Sequence, residues 1–244
     1  MTTYNILTLF PEMFESLMGS SMWSRAIKAG LIGINAIDIR EYTKDKHKRA
    51  DDYPFGGGSG MVLKPDPVHA CFLDVESRCE RPYINVYMSP RGRQLKHGLV
   101  VDLSRYTCIN ILCGHYEGVD ERVLNMHIDM EVSIGDFVLT GGEIAAMALV
   151  DSCIRLVEGV LGNSESAASE SFSDALLEHP QYTRPPEFEG LCVPEVLLSG
   201  HHANVSAYQR RMSILETARR RPELLSKAIF TKSEIEYITG KQSE

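Results

Sequence analysis

The chain has 244 residues, a formal net charge of -8 and a 43% hydrophobic content, enough apolar material to build a core and to exclude a disordered chain. Residues 1–9 hold no basic leader followed by an apolar stretch, and the longest clean apolar run, 144–150, is far short of a membrane span, so a soluble cytoplasmic protein with no membrane partner is expected. Six scattered cysteines (Cys71, Cys79, Cys108, Cys113, Cys153 and Cys192) form no C-x-x-C pair, which argues against a tetrahedral zinc site and predicts reduced, mostly buried thiols.

In chain order, short apolar runs alternate with amphipathic segments over residues 1–160, the signature of an α/β domain with a largely parallel sheet. Strands are predicted at 4–9, 32–39, 83–88, 107–113 and 128–134. Helices are predicted at 11–18, at 22–28 with Gly30 as a stop, at 67–78, and at 143–157 after the Gly141-Gly142 pair. Residues 161–175 are rich in Ser and Ala, carry Glu165, Glu170 and Asp174, and contain no basic residue; they read as an interdomain linker. Residues 176–244 open on a Pro-rich passage, 179–186, and continue with helix-like segments at 207–221 and 222–230, a small helical second domain.

Charge is unevenly spread. Residues 199–232 hold five Arg and two Lys against two Glu, and residues 40–49 hold five basic residues against two acids. These patches fit either a phosphate-binding surface or solvated helix faces.

Ordinary cofactor motifs are absent. The cluster Gly56-Gly57-Gly58-Ser59-Gly60 has the wrong spacing for a dinucleotide fingerprint and lacks the Gly-Lys-Ser/Thr of a phosphate-binding loop. It also makes no nucleophile elbow, so it is either a loop that closes over substrate or a plain surface loop. Three glycine-bearing passages, 89–92, 114–118 and 134–142, fall where strands should end. Each alone reads as a turn; together, at the carboxyl ends of strands in an open α/β sheet, they predict one small-molecule pocket.

Five passages carry a specific resemblance: Leu9-Phe10-Pro11-Glu12-Met13-Phe14, Gly56-Gly57-Gly58-Ser59-Gly60-Met61, residues 113–122 (Cys-Gly-His-Tyr-Glu-Gly-Val-Asp-Glu-Arg), residues 133–143 (Ser-Ile-Gly-Asp-Phe-Val-Leu-Thr-Gly-Gly-Glu) and Tyr182-Thr183-Arg184-Pro185. In order and spacing the chain resembles, nearly end to end, the bacterial tRNA (guanine-N1)-methyltransferase family, TrmD. The resemblance implies a deep trefoil knot in the N-terminal domain, a rare exception to the rule against threaded chains. It further implies S-adenosylmethionine bound bent in the knot with its adenine on main-chain groups, a tRNA substrate methylated at the guanine immediately 3′ of the anticodon, and a homodimer with a shared active site.

Carried over residue by residue, the resemblance implies a cofactor pocket of Tyr87, Ser89, Pro90, Gly114, Tyr116, Glu117, Ser133, Ile134, Gly135, Asp136, Phe137, Val138, Leu139, Gly141 and Gly142. It assigns His47 and Asp51 to the substrate, and Arg155 and Glu170 to catalysis. Ser59 stands where the family usually has Pro, Phe137 where it often has Tyr, Ala145 where Pro is frequent, and Glu170 at the position of the catalytic aspartate. Guanine N1 is protonated at neutral pH and needs a base, which Glu170 would supply, while charge growing on O6 needs a cation such as Arg155. Magnesium is also implied, with Glu117 and Glu170 as its expected neighbours. The other readings are a knotted-superfamily enzyme acting on a different RNA atom and a non-catalytic RNA-binding module.

Overall fold

The protein is described by a computed structural model covering residues 1–161 and 170–239. Glu165 and the rest of 162–169 therefore lie outside the described residues. The chain divides into two compact units, Met1–Ser164 and Glu165–Glu244.

The first unit runs β1 (Thr2–Thr8), a 3-10 turn (Pro11–Phe14), α1 (Glu15–Met18), α2 (Ser21–Lys28), β2 (Ile32–Asp38), β3 (Asp51–Asp52), β4 (Val62–Leu63), α3 (Pro65–Arg78), β5 (Tyr83–Gln94), α4 (His97–Leu103), β6 (Cys108–Cys113), α5 (Glu121–His127), β7 (Met130–Ser133) and α6 (Glu143–Ile154). Its main sheet has the order β2-β1-β6-β5-β7 with every pairing parallel, the α/β architecture expected from the apolar runs. Because strand side chains alternate between faces, the sheet separates two cores. On one face Tyr4, Ile6, Ile109 and Ile111 pack against Trp23 of α2, Leu99 and Leu103 of α4 and Leu149 of α6. On the other, Leu7, Leu112 and Tyr87 pack against Phe72 of α3 and Leu124 of α5.

The second face also carries a polar row. Asn35, Asn5, Asn110 and Asn85 are register partners on four neighbouring strands. Asn35 donates to Asn5 at 2.8 Å, Asn5 to Asn110 at 2.8 Å, and Asn110 to Asn85 at 2.8 Å. Asn85 then donates to Glu76 Oε1, which also meets His127 Nδ1. Apolar strands can slide along one another at little cost, whereas a slip of this row would strand several buried amides at once, so the row fixes register.

Three expectations need correction. The stretch 89–92 is not a loop after a strand: β5 runs on to Gln94 with a register shift between Met88 and Arg93. Gly92 makes that path available, since a Cβ there would stand 2.4 Å from the main chain of Glu131 and Val132. Cys79 and Cys108 are joined as a disulfide, with Cα atoms 6.0 Å apart and so within bridging range, while Cys71, Cys113 and Cys153 are buried thiols and Cys192 an exposed one. The helix read over 11–18 is a 3-10 turn followed by the single turn of α1.

The second unit holds a hairpin of β8 (Glu187–Phe188) and β9 (Leu191–Cys192), then α7 (Glu195–Leu198), α8 (His202–Arg220), a 3-10 turn (Pro222–Lys227) and α9 (Lys232–Thr239). Thr217 and Ile214 on α8 are buried, as is Leu176 ahead of the hairpin.

Replacing Asn110 with Leu leaves the amide of Asn5 and the carbonyl of Asn85 without their partner, at a cost of about 1–3 kcal/mol for each group. Denaturant unfolding of Asn110→Leu should show that loss, and a midpoint equal to the parent would contradict a register-fixing role.

Candidate active site

The loops at the carboxyl ends of β6 and β7 converge with residues 87–90 of β5 on one cavity of about 290 Å³. Its lining includes Tyr87, Ser89, Pro90, Gly114, Tyr116, Glu117, Ser133, Ile134, Gly135, Phe137, Val138, Leu139, Gly141 and Gly142. Asp136 is the one residue of the expected pocket outside that lining, exposed on the same turn as Phe137 and Val138 at the cavity's rim. The lining also contains Met88, His115, Gly118, Val132, Thr140 and Ala145, which the residue-by-residue transfer missed although His115 and Thr140 lie inside the motifs that carried it.

Glycines form the cavity by letting main chains touch. The Gly142 amide donates to the Gly114 carbonyl at 2.8 Å, and Gly141 bridges to His115. A Cβ on Gly142 would lie 2.8 Å from Cys113 Cα, and one on Gly114 would lie 2.7 Å from the Tyr87 hydroxyl. Beneath the Gly141-Gly142 turn, Glu143 opens α6 with only 3% exposure and accepts a hydrogen bond from Thr8 Oγ1 at 2.8 Å. An acid in the first turn suits the helix dipole, and the Thr8 bond ties α6 to the end of β1.

Two titratable groups at the cavity, Tyr87 and Cys113, are held neutral. Burial, reinforced by Glu131, raises the Tyr87 phenol above its ordinary value. Burial, reinforced by Glu143, raises the Cys113 thiol far above its own, so neither is poised as a nucleophile. His115 Nδ1 is buried without a hydrogen-bond partner.

The two residues expected to meet the substrate, His47 and Asp51, lie just before and on a ribbon that packs against the 114–118 loop. Asp51 belongs to the β3–β4 ribbon, and β4 docks on the Gly114–Gly118 loop through Leu63 N to Gly118 O at 3.0 Å and Asp120 N to Leu63 O at 3.1 Å. His47 is exposed on the preceding turn, its amide capped by Asp45 at 2.7 Å. In the glycine cluster, Gly60 has φ +92° and stands where a Cβ would meet the Glu117 side chain at 2.5 Å, while Gly56, Gly57 and Gly58 are exposed with nothing within 4 Å.

Arg155 caps the carboxyl end of α6 in the first unit. Glu170 belongs to the second unit, where its carbonyl accepts from the Ser173 amide at 3.2 Å and hydroxyl at 2.8 Å. Among the described residues, no group of three His, Cys, Asp or Glu could hold a metal ion, which gives magnesium no support here. No helix among them is long and apolar enough to cross a membrane. The basic stretch of the second unit is partly neutralised, because Arg210 pairs with Asp174 and Glu234, Arg220 with Glu216, and Arg221 with Glu223.

A family model described as tRNA (Guanine-1)-methyltransferase TrmD matches residues 2–227. The chain belongs to that family. A tRNA (guanine-N(1)-)-methyltransferase of Caldanaerobacter subterraneus subsp. tengcongensis is 48% identical over 241 residues, covering 99% of each chain. One of Geotalea uraniireducens is 49% identical over 239 residues, covering 98% of this chain and 96% of the relative. A third, of Clostridium botulinum, is 50% identical over 230 residues, 94% of this chain and 95% of the relative. Of the departures from the family pattern, Ala145 lies in the first turn of α6 at 8% exposure, within the cavity wall, whereas Phe137 is 53% exposed at the cavity's edge.

Gly142→Ala should force α6 away from the end of β6. Equilibrium dialysis with S-adenosylmethionine should show at least a ~10-fold loss of affinity, since about 1.4 kcal/mol corresponds to a factor of ten. Unchanged affinity would mean that the Gly114–Gly142 contact does not shape the binding site.

Proposed function

We propose that this chain transfers a methyl group from S-adenosylmethionine to N1 of the guanine immediately 3′ of the anticodon of tRNA, acting in the cytoplasm as a homodimer with a shared active site. The observation that carries the reading is the convergence of two family motifs, 113–122 and 133–143, and residues 87–90 of β5 on one glycine-walled cavity, with main-chain groups and the unpartnered His115 Nδ1 available to a ligand. Glycines at 114, 141 and 142, where any Cβ would collide with a neighbour, make the walls suited to a flat adenine held by backbone. In this reading residues 1–160 carry the trefoil knot that the family resemblance implies, and residues 176–244 are the tRNA-binding domain.

Bound S-adenosylmethionine supplies an electrophilic sulfonium methyl, so the protein's task is alignment and proton removal. The cavity wall aligns the donor against the incoming base. Glu170 accepts the N1 proton, and Arg155 stabilises the negative charge that collects on guanine O6 as N1 becomes nucleophilic. His47 and Asp51, just before and on the β3–β4 ribbon, hold the target base. Asp174, the other carboxylate nearby in sequence, is engaged by Arg210 and by the Leu176 amide. Magnesium has no part in this scheme.

Glu170→Gln should bind S-adenosylmethionine and tRNA normally and lose about 100-fold or more in single-turnover methyl transfer, with Glu170→Asp retaining measurable activity. A parental rate for Glu170→Gln would place the base elsewhere. The shared site predicts that mixing Gly141→Arg protein with Glu170→Gln protein restores activity through exchanged heterodimers, and folded, dimeric mixtures that stay inactive would exclude it. Raising salt should weaken tRNA binding steeply and leave S-adenosylmethionine affinity nearly unchanged, and Arg219→Glu, at a cation without an ion pair among the described residues, should imitate the salt effect.

A further inference from the structure

Residues 170–175, read from sequence as the end of a linker, form with 176–178 a tight turn built into the second unit. Phe172 N donates to Leu176 O at 2.7 Å, and Glu178 N donates to Ser171 Oγ at 2.9 Å. Leu176 is 1% exposed, and the Leu177 amide donates at 2.8 Å to Thr217 Oγ1, a fully buried hydroxyl on α8. Two non-glycine residues of the turn are left-handed, Phe172 at φ 77° and Ala175 at φ 63°. Such residues hold a strained conformation only when their surroundings over-determine it.

One side chain supplies much of that determination. Arg210, on α8, spreads its guanidinium over three acceptors from three parts of the unit. Nη1 meets Asp174 Oδ2 within the turn, Nε donates to Glu234 Oε1 at 2.8 Å, and Nη2 donates to the Ile229 carbonyl at 2.9 Å. Asp174 Oδ1 in turn accepts the Leu176 amide, so the carboxylate bridges the turn's own backbone to α8. Glu234 is itself fixed by a reciprocal cap at the start of α9, accepting from Thr231 N at 2.7 Å while its own amide donates to Thr231 Oγ1 at 3.3 Å. The planar fork of arginine can satisfy three such directions at once, which a lysine ammonium on a flexible stem cannot reproduce.

We propose that Arg210 is a positioning residue for methyl transfer, clamping the turn that carries Glu170 through Asp174. The proposal rests on Glu170 being the base. The Ser173 amide and hydroxyl both hold the Glu170 carbonyl, so a turn released from Arg210 lets the carboxylate wander from the N1 proton while the cavity of the first unit stays intact. Misplacement of a reacting group by about 1 Å can cost ~100-fold in rate.

The test is single-turnover methyl transfer at saturating S-adenosylmethionine and tRNA, with both dissociation constants measured alongside. Asp174→Ala and Arg210→Lys should slow transfer by about 10- to 100-fold with both dissociation constants unchanged. Asp174→Asn, which keeps an oxygen for the guanidinium, should recover most of the rate. In a Glu170→Gln background, Asp174→Ala should cost nothing further, because the group it positions is gone. A parental rate in Asp174→Ala overturns the proposal, as do losses that multiply in the double variant. Asp174→Asn as slow as Asp174→Ala would make Asp174 itself the proton acceptor and overturn it too. A parental rate in Glu170→Gln alone overturns the base assignment instead. Should Arg210→Lys unfold the second unit, Asp174→Ala, in which Arg210 keeps Glu234 and Ile229, decides the matter.

Discussion

The hydrogen bond from the Gly142 amide to the Gly114 carbonyl, 2.8 Å long, is the contact on which the candidate site depends. It requires two main chains to meet where no side chain fits, and it draws the loop after β7 and the first turn of α6 onto the end of β6. From it follow the bridge between His115 and Gly141 and the buried seat of Glu143 beside Thr8. The loops can meet because β6 and β7 end level with one another, at Cys113 and Ser133, on either side of β5. The register of β2, β1, β6 and β5 is set several residues earlier by their asparagine row, whose amides satisfy one another only in that alignment.

The chemistry available in the cavity is correspondingly narrow. Tyr87 and Cys113 are kept protonated by burial, and the cavity itself is walled by glycine backbone and apolar edges. Such a chamber can hold and orient a small molecule but has no activated nucleophile of its own. In the proposed scheme the proton goes instead to Glu170, on a turn that the second unit fixes with Leu176 buried, Thr217 holding the Leu177 amide and Arg210 holding Asp174.

Much of this was legible in the sequence, for physical reasons. β6, most of β1 and the first half of β5 are buried on both faces, so they read as largely apolar runs, and the glycines at 114, 141 and 142 mark the places where backbones meet. The rest was hidden because it depends on distant partners. α4 and α5 have seven residues each, too few for a helical period to stand out. β5 continues past Met88 only because β7 offers it a second ladder beyond the register shift. The pairing of Cys79 with Cys108 and the asparagine row both join residues far apart in sequence, and spacing alone says nothing of either. Arg210 read as one cation of a phosphate-binding patch, whereas it is committed to Asp174, Glu234 and the Ile229 carbonyl.

The central claim is methyl transfer from a donor held in the glycine-walled cavity to N1 of a guanine next to the anticodon. The most direct measurement incubates the protein with radiolabelled S-adenosylmethionine and two unmodified tRNA transcripts that differ only in carrying guanine or adenine immediately 3′ of the anticodon, then maps the labelled atom. The account predicts label at N1 of that guanine and none on the adenine transcript. Label on a ribose hydroxyl or another base atom, or tRNA bound without any transfer, would contradict it.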